Sequence, residues 1–208
     1  MQRLEHVMTA PRVAAFLDAV DARLNSNTFL LAHRVDHTDV ARALAELLHA
    51  PAFDEGLRWA DHQRGWDNYR RPGADGPEAV PGSVVRRDAR LRITHLDAAA
   101  VLQRLEWMLN VGGDWYGTAP RREPAVAQAE ARAFLAGLDA AAGTGTPWAW
   151  CQATPDFLHS HGYFNYAGES GIDEDTGALA YFDGGGCDGA LAALSGDVLV
   201  LLLTNGSP

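Results

Sequence analysis

The chain predicts an α+β protein: a mainly helical part over residues 1–142, followed by an antiparallel β meander over 148–208. Three observations predict it. Apolar residues recur at three and four positions through much of the first 142 residues. Beyond residue 147 the apolar runs become short or alternating and are separated by Gly and Asp. The charge balance changes at the same place. GTGTP at 143–147 is the expected linker, with the acidic β-rich part packed on the helices as one compact unit. At 208 residues the chain is long enough to bury a core without disulfides or metal staples.

PRVAAFLDAVDARL places Val13, Phe16, Leu17, Val20 and Leu24 on one helical face, with Pro11 suited to the first turn. Thr38 or Asp39 caps VARALAELLHA, whose Val40, Leu44, Leu47 and Leu48 face inward until Pro51 interrupts. AFDEGLRWADHQRGW is expected to form another helix. WDNYRRPGADGPEAVP, rich in Pro and Gly, is a loop. RLRIT alternates as an isolated strand. Thr94 and Asp97 form a capping box opening LDAAAVLQRLEWMLN, which Gly112 and Gly113 close. A further helix spans Pro124 to Ala142. WAWCQA, GYFNYAGE, GALAYF, GALAALS and DVLVLLLT then read as strands, with SGD as the turn between the last two.

All 17 basic residues are Arg, and the absence of Lys excludes Schiff-base chemistry, a pyridoxal anchor and a phosphate-loop lysine. Of the 27 acids, 18 lie in residues 1–132 beside all 17 Arg; the remaining nine lie in 133–208 with no fixed positive charge. Most of the net charge of -10 therefore sits at the C-terminal end. It disfavours nucleic acid and suits a cation or a basic protein partner. No signal-peptide core is present and no apolar run approaches the roughly 20 residues of a membrane span, so a cytoplasmic protein without a membrane partner is expected. Cys151 and Cys187 lack metal-ribbon spacing and are expected to be reduced.

Candidate chemistry gathers in HSHGYFNYAGE, residues 159–169. On a strand, His159, His161, Tyr163 and Asn165 share one face, and two imidazoles ~7 Å apart at the backbone can converge on a divalent metal. Asp183, Cys187 or Asp188 would supply a further ligand. Against this, TPDF at 154–157 has the capping chemistry of a short helix reaching toward residue 160, on which the two histidines diverge. DGGGCDG at 183–189 matches a dinucleotide fingerprint through Gly184, Gly186 and Gly189, but ALAALS is too short for the helix that must follow, so no nucleotide is expected. The same residues match a nucleophile elbow with Cys187 as nucleophile, for which His159 or His161 would serve as base.

Other patterns are less specific. DEDTG at 173–177 lacks the final Glu of a calcium loop, and Glu46/His49 has di-iron spacing without a second such pair. His33 and His37 are four apart, but the cap at Thr38 or Asp39 puts His37 at a helix boundary. Arg86, Arg87, Arg90 and Arg92 form a basic cluster. Six tryptophans exceed what a small core needs, and Trp115, Trp148 and Trp150 are candidates to line a small-molecule pocket. The reading that results is a small enzyme acting on a small organic molecule. Its catalytic residues are His159, His161, Cys187 and Asp183, and its substrate-binding residues are Trp148, Trp150, Tyr163, Asn165 and Trp115. The alternative is a non-catalytic, immunity-type module that covers a basic protein with its acidic part.

Overall fold

The computed structural model describes residues 2–24, 26–53, 55, 83–85, 91–110, 121–153, 158–160 and 189–206. Eight strands and five helices are assigned among them, in an α+β arrangement. They run β1 (Gln2–Arg3), α1 (Glu5–Met8), α2 (Pro11–Leu24), β2 (Ser26–Arg34), α3 (Val40–His49), β3 (Ser83–Val85), β4 (Ile93–Leu96), α4 (Ala98–Asn110), α5 (Pro124–Ala142), β5 (Ala149–Ala153), β6 (Leu158–Ser160), β7 (Gly189–Ser195) and β8 (Val198–Gly206). Six strands form one antiparallel sheet in the order β1-β2-β8-β7-β5-β4, and β3 pairs with β6 in a separate two-stranded ladder.

The helices begin where local chemistry satisfies their first amides. Asp39 caps α3 by accepting from the Arg42 amide at 2.9 Å. Asp97 does the same for α4, accepting from the Ala100 amide at 2.8 Å. Thr94 is therefore not a cap: it lies inside β4, opposite Gln152. A β-strand takes the residue that a capping box would need, and β4 starts later than RLRIT suggests. Pro124 opens α5, and Gly143, at φ 60°, ends it in the left-handed conformation that a side chain disfavours.

The central strands β2, β8 and β7 are buried on both faces. Thr28, Leu30 and Ala32 of β2 share a face with Thr204, Leu202 and Val200 of β8 and with Gly189, Leu191 and Ala193 of β7. A Cβ on Gly189 would meet Met108 Cε at 3.0 Å, so this is the face that α4 covers, with α2 and α5 packed beside it. Phe16 of α2 stacks on Phe134 of α5, with ring centroids 4.4 Å apart. The alternate positions, Phe29, Leu31, Leu199, Leu201, Leu203, Ala190, Ala192 and Cys151 among them, are buried as well. α3 packs on β5, β7 and β8 and lies on this second face.

Strand β8 joins the halves of the chain: it pairs with β2 along its length on one side and with β7 on the other. At the hairpin end of the sheet, Gly196 at φ 56° makes the turn between β7 and β8. Ser195, 1% exposed, donates to the Thr146 carbonyl at 2.5 Å and bonds the Thr144 hydroxyl, tying the 143–147 segment to that turn. No described helix is long and apolar enough to cross a membrane.

Candidate functional site

The opposite end of the sheet is where chain segments enter and leave. Ile93, Ala153 and Ala190 are successive cross-strand neighbours there, roughly 5 Å apart from strand to strand. Residues 154–188 therefore depart from and rejoin adjacent strands. The C-terminal part of α4 reaches the same end, because Met108 approaches Gly189. Asn110, the last residue of α4, accepts from the Arg122 amide at 3.0 Å, so the two residues that flank 111–121 lie together.

Arg122 secures that junction. Its guanidinium donates to the carbonyls of Leu109 at 3.2 Å and Ala19 at 3.4 Å and pairs with Glu130 at 2.6 Å, joining α2, α4 and α5. Two further guanidiniums are internal. Arg23 near the end of α2 is 2% exposed, and Arg104 of α4 lies 3.6 Å over the Trp107 ring. Both are engaged with partners. Arg104 Nη2 lies 3.3 Å from where a Gly189 Cβ would sit, and burial lowers its pKa from the ordinary value while leaving it a cation. Thr28 and Thr204 bond through their buried hydroxyls at 2.7 Å on the same face. This end thus combines buried cations, hydroxyls and a glycine beside the point where residues 183–188 join β7.

Of the residues singled out by sequence, His159 lies in β6, opposite Val84 of β3. A helix continuing from TPDF to residue 160 is therefore overturned: strand pairing with β3 claims Leu158–Ser160. His161, Tyr163, Asn165, Asp183, Cys187 and Trp115 lie outside the described residues, as do DEDTG and all of the basic cluster except Arg92. Trp150 is a core residue at 8% exposure. Trp148 packs against it at 6.1 Å between centroids and has its indole N–H buried without an acceptor among the described residues. Both belong to the hairpin end, Trp150 opposite Ala193 and Leu96, and hence to the other end of the sheet from Gly189.

The histidine patterns of the N-terminal part resolve differently. His37 bonds Glu46 across the turn into α3, a pair hidden from spacing arguments because its members are nine positions apart. His33 instead is fully buried within β2, and neither ring nitrogen has a hydrogen-bond partner among the described residues. Burial above all, then the charges of Arg3 and the amino terminus, lower its pKa from 6.5 to about 4. Cys151 is a buried free thiol whose pKa burial raises to about 11, so it is no nucleophile at neutral pH. Among the described residues no group of three His, Cys, Asp or Glu converges as a metal site. The chain matches no family model, no curated protein and no solved structure.

Proposed function

We propose that the protein is a small enzyme acting on a small organic molecule at the end of the sheet where Ile93, Ala153 and Gly189 lie. One observation carries this reading. The junctions of the segments that hold His159, His161, Tyr163, Asn165, Asp183, Cys187 and Trp115 all belong to that single end. In a site shielded from water, an imidazole, a thiol and a carboxylate would change each other's protonation. His159 or His161 acts as base toward Cys187, or the two histidines with Asp183 hold a divalent metal that polarises a substrate oxygen. Elemental analysis of the untagged protein beside a His159→Ala/His161→Ala pair separates these. Stoichiometric metal in the wild type and none in the pair supports the metal form. Metal retained by the pair overturns it, and its absence from both directs the test to Cys187→Ser turnover.

A second reading is favoured by charge alone: residues 133–208 carry no Arg or Lys. In it the acidic part covers a basic protein. Charge reversal at Asp173 and Asp175 would then slow association with that partner at low salt more than at high salt. Association unaffected by either change counts against it.

A further inference from the structure

The N-terminal strand is short, and what lies beside it is unusual. β1 has two residues, and its Arg3 is the direct cross-strand neighbour of His33. On the other flank of His33, β8 offers Leu199. The imidazole is fully enclosed, with both nitrogens unbonded among the described residues, so it is accommodated only while neutral; a proton would place an unsolvated cation next to another cation.

The surrounding charges give no counterion among the described residues. Arg3 of β1 is bound to Glu5 of α1, and His6 follows on the exposed side of α1. Arg34 of β2 pairs with Asp197 in the turn before β8, and His37 in the loop beyond pairs with Glu46. Asp36 of that loop is exposed. α3 turns Val40, Ala43, Leu44, Leu47 and Leu48 inward and keeps Arg42, Glu46 and His49 exposed.

We propose that β1 and α1, residues Gln2–Met8, form a strap that acid releases, with the neutral imidazole of His33 as its latch. The strap is held by the Leu4 amide bonded to the Ala32 carbonyl at 2.8 Å and by Leu4, Val7 and Met8 in the core. Opening makes β2 the sheet edge and lets water reach His33, which then takes a proton as an ordinary histidine does. The closed state has the depressed pKa, so it is fully favoured above the open-state value of 6.5. It loses ground as pH falls and levels off below about 4. Release uncovers three apolar side chains while the pairing of β8 with β2 and β7 stays intact.

Hydrogen exchange read as protection factors at pH 7.5 and 4.5 tests this on the whole chain. In the wild type, protection of the Leu4 amide should fall about 70-fold, while amides of β7 and β8 keep theirs. In His33→Leu, the fall at Leu4 should shrink to a few-fold. Three results would overturn the proposal: unchanged Leu4 protection in the wild type, an equal fall in His33→Leu, or loss at β7 and β8 in step with Leu4. Should the variant not fold, an NMR titration of the wild-type imidazole decides, since a value near 6.5 removes the latch.

Discussion

Single side chains in this protein are governed by what burial does to them. Cys151 sits within β5 opposite His95 and Ala192, fully covered, and its thiol is pushed up to about 11. It should resist alkylation by a thiol reagent at pH 8 in the folded protein and react only after denaturation. Rapid labelling of Cys151 in the native state would contradict its placement. Ser195 makes a complementary case, because its hydroxyl meets both the Thr146 carbonyl and the Thr144 hydroxyl. Ser195→Ala removes both bonds from a buried site, at a cost of about 1–2 kcal/mol in urea denaturation. It should also speed proteolysis within 143–147, whereas an unchanged cleavage rate would show that the segment is held by other means.

At the level of elements, α5 packs closely on α2. A Cβ at Gly137 would stand 2.7 Å from Arg12 Cβ, an atom fixed to the backbone of the neighbouring helix rather than the end of a flexible chain. On an exposed helical face, replacing Gly by Ala stabilises by about 1 kcal/mol. Here crowding opposes that gain, and Gly137→Ala should destabilise by about 1–3 kcal/mol, with the sign as the diagnostic. α2, α3 and α5 were legible in sequence because each has one apolar stripe and a recognisable start: Pro11, Asp39 and Pro124. β5, β7 and β8 were legible from short apolar runs between Gly, Asp and Pro. β2 was not. Its Phe29, Leu30, Leu31, Ala32 and His33 are buried on both faces of the sheet, so no period-two alternation betrays a strand, and a run of that length does not tell strand from helix. Of the candidate site, the strand position of His159 followed one of two readings that the residues around TPDF left open. The His37–Glu46 pair and the Thr28–Thr204 pair depend on tertiary contact and have no local signature.

For the molecule as a whole, the paired strands matter more than the change of composition at residue 143. The apolar β8 has β2 from the beginning of the chain on one side and β7 on the other, and its residues 198–204 are buried. The C-terminal part severed from β2 would present a long apolar edge. A single calorimetric unfolding transition is therefore expected, and two resolved transitions would show that the linker separates independent units. The same pairing sets a schedule for biosynthesis. Thr28 and Thr204 are partners 176 positions apart, so β2 leaves the ribosome long before the strand that completes it. At ordinary translation rates that interval is about 10–30 s. During it the Phe-Leu-Leu-Ala stretch of β2 lacks its long partner, and the nascent chain depends on its helices or on a chaperone to shield that stretch until β8 is made.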